Sequence, residues 1–405
     1  MCAGERAMDG QTSRMDKKMK RVLFITTKPG VPWKGVSHRT RYTLGALLAA
    51  GYTVEVLGVP RDAPLSHPGI VVHYAPRIPF CGNLPEGPSF RRFILDVCLL
   101  FKALALMGRG RYEILHGLDD SGVLAYLISR VYRVPYVVDR QTDFTAGGGD
   151  SVSLWGWFYR RFERRALRKA DAVIGNSDEV VPLLAAHGRR SRACVIPDIP
   201  SLDFHLADAD LAAARAAFKP AEGMPLITCV ASAYRFRGLD LFLNAMPAVL
   251  KELPMSRFAV VGGTQTEIDR ARAALQKAGI DGAIHFTGRI QPEKLAALLK
   301  VSDVLVATRG DGTTPPIKVL DYLAAERPVV AVDSPANRSV LTPDNALIVP
   351  PTPGDLAAGI LHICRNQGVA IRLATAAAAT VRQEKRTEKT FRDAIRNCYA
   401  YVLSR

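Results

Sequence analysis

Short apolar runs alternate with amphipathic segments along almost the whole chain. RVLFI at 21–25 reads as a buried strand, a helical pattern over 39–50 stops at Gly51, and TVEVLGV at 53–59 reads as a second strand. Further strands are predicted near 70–73, 114–115, 136–138, 172–174 and 194–196, with helices at about 90–107, 121–132, 154–169 and 179–187. The alternation restarts with LITCVA, a helix over 238–252, FAVVGG, a helix over 264–278, AIHFTG and a helix over 292–300. Strand–helix–strand repetition predicts parallel sheets covered by helices on both faces. Two such runs, joined near 200–222, predict an α/β protein of two Rossmann-like domains facing a central cleft, at 21–204 and 205–385. A last segment, 386–405, carries Phe391, Ile395, Tyr399 and Val402 at helical spacing and is expected to pack back toward the first domain.

The most informative stretch is VLVATRGDGTTPPIKVLDYLAAERPVVAVD at 304–333. It reads as a buried strand, a loop of Gly, Asp, Thr and Pro, a helix and a second buried strand. Proline is tolerated in the first turn of a helix, where its missing N–H has no partner to lose. The helix is therefore expected to start near Ile317, with Thr313 or Thr314 as its cap. Its free N–H groups and positive dipole end would face back across the loop, an arrangement that suits a phosphate. Asp321 follows Lys318 by three residues and shares its face. The competing reading is an ordinary strand–helix–strand unit capped by threonine.

Length and composition narrow the setting. At 405 residues the chain is too long for one core. Hydrophobic residues at 48% and charged residues at 23% describe a soluble globular protein, and no apolar run reaches the roughly 18 residues of a membrane span. Residues 1–20 are polar and read as a flexible leader rather than a secretion signal. Seven cysteines without a C-x-x-C pair fit core thiols in a reducing cytoplasm, not a zinc ribbon. The net charge of +16 is uneven: residues 1–200 hold 29 Lys+Arg against 18 Asp+Glu, and residues 201–405 hold 25 against 20. The excess points to an anionic partner of the first half. No G-x-G-x-x-G follows the first strand, so a nicotinamide or flavin fingerprint is missing.

Five segments in order carry a resemblance. They are KPGVPWKGVSHRTR, RFERRALRKADAVIGNSDEV, SAYRFRGLDLFLNAM, the pair RFAVVGG and IHFTGRI, and PIKVLDYLAAERPVVAVD. Together they resemble a GT-B glycosyltransferase of family 4 over about 21–385. The resemblance implies a retaining transfer of a hexosyl group from a UDP-, GDP- or ADP-linked sugar, with no metal and no separate cofactor. It places Asp321 where the family's second glutamate grips the ribose, and Thr313 where the first would meet the donor sugar. Thr314, Pro316, Ile317 and Lys318 fall on the donor side, with Gly288 and Arg289 beside the nucleobase. Arg235 and Arg237 fall where cations offset the charge of the departing diphosphate. On the acceptor side the resemblance places Gly35 and His38 in the first loop, then Asp139, Arg140 and Gln141 at the end of a strand. The family often has His where this chain has Gln141, and an amide cannot exchange a proton at neutral pH. In the front-face mechanism the departing phosphate takes the acceptor's proton instead.

Two helices explain the basic first half. SFRRFILDVCLLFKALALMGRGR sets an apolar helix between Arg91, Arg92 and a basic end, and LWGWFYRRFERRALRK joins Trp155 and Trp157 to Arg160, Arg161, Arg164, Arg165 and Arg168. Aromatic edges beside cations suit a membrane interface; the alternative buries the aromatics and solvates the arginines. The expectation is a cytoplasmic enzyme, peripheral on the inner face of the cell membrane, acting on a lipid-linked or oligosaccharide acceptor. No nucleic-acid-binding module is visible. Two rivals share the fold: a nucleotide-sugar 2-epimerase, and a non-catalytic subunit that binds nucleotide sugar without turnover.

Overall fold

The computed structural model describes residues 20–27, 35–60, 68–76, 89–141, 154–178, 180–186, 192–219, 221, 223–231, 238–310, 316–384 and 386–404. Residues 1–19 of the expected leader, 1–20, lie outside them. The first domain runs β1 (Arg21–Ile25), α1 (Gly35–Ala49), β2 (Thr53–Gly58), β3 (Val71–Tyr74), α2 (Phe90–Arg109), β4 (Ile114–Leu118), α3 (Ser121–Tyr132), β5 (Tyr136–Arg140), α4 (Leu154–Lys169), β6 (Ala172–Gly175), α5 (Val180–Ala186) and β7 (Arg192–Val195). The second runs α6 (Asp208–Phe218), β8 (Leu226–Val230), α7 (Leu239–Glu252), β9 (Arg257–Val261), α8 (Gln265–Lys277), β10 (Ile284–Gly288), α9 (Pro292–Val301), β11 (Val304–Ala307), α10 (Ile317–Ala324), β12 (Val329–Val332), α11 (Pro335–Arg338), β13 (Leu347–Val349), α12 (Pro353–Arg365) and α13 (Gln367–Gln383). The chain ends with α14 (Glu388–Leu403).

Both sheets are parallel throughout, in the orders β3-β2-β1-β4-β5-β6-β7 and β10-β9-β8-β11-β12-β13. Helices cover both faces, so the strands are apolar without alternation: Val22–Ile25, Val304–Ala307 and Val329–Val332 have no exposed surface. In each sheet the order reverses once, between β1 and β4 and between β8 and β11. At such a switch point the loops after the two strands part and leave a crevice at their carboxyl ends.

The expected join near 200–222 narrows, because 208–218 forms α6. Its sequence, DADLAAARAAF, is rich in alanine and buries only Ala214, so its apolar periodicity is faint. Helix α14 packs along α1. Phe391, Ile395, Cys398, Tyr399 and Val402 enter the same cluster as Val22, Phe24, Leu44 and Leu47. Tyr399 and His116 of β4 are hydrogen-bonded at 2.7 Å, and His116 stacks on Phe24 with ring centroids 4.1 Å apart.

A glycine fixes the approach to the second switch point. Gly238, at the N-cap of α7, has φ +75, and a Cβ there would lie 2.0 Å from the carbonyl oxygen of Thr308, just past β11. Gly279 also has a positive φ, of +69, but open space around it. Gly279→Ala should cost roughly 1 kcal/mol, the strain of a left-handed alanine. Gly238→Ala should cost roughly 3 kcal/mol or more, since backbone must also move. Denaturant titration of the two variants checks the contrast, and equal losses would contradict it.

Candidate functional site

Helix α10 is anchored to the strands of the second switch point. Lys318 Nζ donates to the carbonyl of Val230 at the end of β8, at 2.8 Å. Tyr322, fully buried, accepts from Val230 N at 2.8 Å and donates to Val306 O of β11 at 3.3 Å. One tyrosine thus links the two strands that flank the crevice. The helix starts at Ile317 with Pro316 at the cap position and no side-chain cap bond, so the expected threonine cap is not what begins it. Thr313 and Thr314 lie outside the described residues.

Asp321 does something the sequence did not suggest. Its Oδ1 accepts from Ser201 N at 2.6 Å and Leu202 N at 3.1 Å, and its Oδ2 accepts from Ser201 Oγ at 2.8 Å. A carboxylate has about four acceptor positions, and the connector between the domains takes three of them. Burial pushes its pKa up to about 6 while these donors pull it down, so it is ionised at neutral pH. The acid expected to grip a ribose thus holds the connector.

Gly288 ends β10 with φ +61, and its carbonyl accepts from Gly262 N at 2.7 Å. Arg289 is exposed next to it. A shallow recess, open to solvent, lies beside this turn between Ala231, Gly262, Gly263, Glu267, Ile268 and Phe286. Arg235 and Arg237 lie outside the described residues, in the stretch that follows β8. Among the described residues no group of three or more His, Cys, Asp or Glu side chains is placed to hold a metal ion.

The first domain gathers its polar groups at the carboxyl ends of β1, β4 and β5. Gly35 opens α1, and His38 lies in its first turns, partly buried, its pKa lowered by burial and then by Arg41. Asp139 is fully buried. It faces Arg39 Nε at 3.6 Å and accepts from Gln141 Nε2 at 3.2 Å. Burial first, eased by Arg39, raises its pKa to about 6. His116 Nε2 lies 3.8 Å from the same carboxylate, and burial, then Arg39, lowers the imidazole to about 3, so it stays neutral. An acceptor cannot reach Asp139; the expected contact is corrected to a support for Gln141. Gln141 itself is held through its N–H to Asp119 Oδ1 at 2.7 Å. Arg140 is half-buried, 3.9 Å from Glu163.

Residues 34–198 match the family described as "Glycosyl transferase 4-like domain", and residues 224–366 match "Glycosyl transferases group 1". The chain belongs to glycosyltransferase family 4, with the GT-B fold. D-inositol 3-phosphate glycosyltransferase of Nocardia farcinica is 25% identical to it over 362 residues, 80% of this chain and 77% of that one. A GDP-mannose-dependent alpha-(1-6)-phosphatidylinositol monomannoside mannosyltransferase of Mycolicibacterium smegmatis is 27% identical over 205 residues, 47% of this chain and 52% of that one. Among solved structures, sucrose-phosphate synthase from Thermosynechococcus elongatus superposes with a TM-score of 0.77 at 19% identity, covering 94% of this chain and 98% of the other. The Anabaena protein HepE, solved with UDP and glucose, superposes with a TM-score of 0.71 at 15% identity, covering 94% and 99%. As a family 4 glycosyltransferase the protein is a transferase enzyme, which decides against the silent subunit and the epimerase.

In this glycosyltransferase the cations expected at a membrane divide. Arg92 is buried, paired with Asp120 and Thr27 and 3.4 Å from Asp96, so it cannot meet a headgroup. Arg91, Arg161, Arg164, Arg165 and Arg168 are exposed, and Arg160 is partly so. Trp157 is 56% exposed with Arg161 over its ring at 5.9 Å, whereas Tyr159 is buried. The Trp155 side chain lies outside what is described. The helix therefore divides its aromatics between core and surface.

Asp119 and Asp120 are the residues that sequence reasoning missed. They follow β4 at the first switch point; Asp119 has φ +49, and Asp120 accepts from Thr27 Oγ1 at 3.1 and 3.2 Å. The signal was present as two acids directly after the buried run EILHGL, since Asp tolerates the left-handed turn that ends a strand there. The buried acid gives a pH signature. An aspartate with a native pKa near 6 and an unfolded one near 3.8 binds its proton more tightly when folded. The stability of wild type relative to Asp139→Asn should therefore fall as pH rises from about 4 to 6, by about 3 kcal/mol, and stay level above pH 7. Denaturation across that range checks the sign; a gap that widens with pH would refute it.

Proposed function

We propose that the protein is a retaining glycosyltransferase moving a hexosyl group from a UDP-, GDP- or ADP-linked sugar to a lipid-linked or oligosaccharide acceptor at the cytoplasmic face of the membrane. The observation that carries the donor half is topological. Arg235 and Arg237 follow β8, while Thr313, Thr314 and Pro316 follow β11, and these are the strands flanking the switch point of the second sheet. Ligands of open α/β sheets bind outside that pair. Lys318 adds a cation one residue into α10, with Gly288 and Arg289 at the neighbouring strand end. Arg235 and Arg237 offset the charge of the departing diphosphate; the scheme needs no metal, and the phosphate accepts the proton of the incoming hydroxyl. HepE bound to UDP-glucose supports the donor class.

The acceptor half rests on the first domain. His38 lies on α1, the helix that follows β1 and begins at Gly35, and Arg140 and Gln141 stand at the carboxyl end of β5. Relatives named phosphatidyl-myo-inositol mannosyltransferases support a lipid acceptor. Exposed Phe90, at 57%, and Phe101, at 67%, share one face of α2 with the half-buried Ile94 and Val97. With Trp157 and the exposed arginines of α4 they suit an anionic lipid surface. No helix among the described residues is long and apolar enough to cross a membrane.

Thermal-shift screening against UDP-, GDP- and ADP-sugars tests the donor. One nucleotide should raise the melting temperature, and the anomeric configuration of the product, read by NMR, should match that of the donor. Arg237→Ala should lower turnover by about 10²–10³-fold, the usual size of a lost donor to developing charge; unchanged turnover removes it from the site. Changing Arg161, Arg164, Arg165 and Arg168 together to Glu should release the protein from phosphatidylglycerol vesicles, at about 1 kcal/mol per cation. Retained binding in a flotation assay counts against the membrane surface.

A further inference from the structure

The connector between the two domains is held by buried polar groups along its length. On the first-domain side, Arg39 Nη1 donates to Ile196 O at 2.8 Å and to Asp198 Oδ1 at 2.7 Å, and Asn176 Nδ2 donates to Asp198 Oδ2 at 3.2 Å. Ile199 is buried in the first domain's core, and Tyr42 OH of α1 reaches Pro200 O at 3.4 Å. At the next residue the chain changes partners. Ser201 N, Ser201 Oγ and Leu202 N all donate to Asp321, and Leu202 and Phe204 pack on the second domain's core. The return crossing is laced to the first: Arg386 Nη1 donates to Asp198 O at 2.8 Å. Both crossings thus meet within a few residues, and Asp321 is the second domain's hold on that point.

A buried carboxylate is costly unless its oxygens are satisfied. Among the described residues two backbone N–H groups and a hydroxyl satisfy them, and no cation is paired with them. Alanine leaves these three donors unpaired, whereas asparagine keeps an oxygen for both N–H groups. Helix α10, which carries Asp321, opens directly from the stretch after β11, where the donor is proposed to sit. Asp321 thus ties α10 to the connector by directed hydrogen bonds, beside the apolar contacts that Leu202 and Phe204 make with the cluster α10 helps to build.

We infer that Asp321 is a positioning residue, tying helix α10 to Ser201 and Leu202 and so fixing the angle between the donor and acceptor domains. The inference rests on the proposed transfer only for its kinetic consequence. Small-angle scattering of the full chain tests it without any substrate. Asp321→Ala and Ser201→Pro, which removes two of the three donors at the other end, should both raise the radius of gyration, while Asp321→Asn stays at the wild-type value. Ser201→Ala, which deletes only the hydroxyl bond, should give a smaller rise and serves if the proline variant does not fold. Unchanged scattering from folded Asp321→Ala and Ser201→Pro overturns the inference. In the kinetic arm, Ser201→Pro should lower turnover at saturating donor at least tenfold while leaving the Kd for UDP, GDP or ADP within twofold. Loss of nucleotide binding in Asp321→Ala with an unaffected Ser201→Pro also overturns it, since the acid then serves the nucleotide directly. Wild type that binds none of the nucleotides sinks the transfer reading instead, and the scattering still decides the tether.

Discussion

A parallel sheet buried on both faces drives most polar side chains toward its ends. That constraint shapes both domains. Strand interiors such as Val304–Ala307 contain no polar side chain, and the groups with chemistry collect just beyond them. Thr27, Asp119, Asp120 and Gln141 stand at strand ends of the first sheet, and Lys318 and Gly288 stand beside those of the second. Where each sheet reverses its order, the loops part. The two crevices are thus consequences of strand burial and topology, not features added to them.

The same constraint explains the buried charge. Arg39 is 3% exposed and faces Asp139 and Asp198, one at the end of β5 and the other on the connector. Such a cluster gains little net stability over apolar packing, because removing charges from water is costly. What it supplies is direction: an arginine fork fits a carboxylate and a carbonyl at fixed angles, which apolar contacts do not require. His116, neutral between Phe24, Tyr399 and Asp139, extends the arrangement to α14. The terminal helix therefore supports the first sheet's β4 and β5 from behind.

Electrostatics at the surface act at longer range. Exposed arginines on α4 carry much of the first domain's excess charge, and Trp157 and Phe101 stand out among side chains that face solvent. Arg92 shows how sequence proximity misleads here. It adjoins Arg91 in the chain, yet a helix turns successive residues by about 100°, so one points to solvent and the other into the Asp120 pair.

The sequence by itself determined the α/β alternation, the two sheets and the helix that starts at Ile317, because apolar periodicity and proline placement are local properties. The family resemblance was equally legible, since its five segments are contiguous strings. Weakly periodic pieces such as α6 escaped, as an alanine-rich helix that buries one residue has little pattern to show. Only the tertiary structure decided what the charged residues touch. Asp321 lies 120 residues from Ser201 in the chain, and Arg39 lies 159 from Asp198. Neither pairing leaves a trace in spacing or composition. A carboxylate's partner is set by which donors the fold brings within hydrogen-bond reach, and that is a property of the packed chain alone.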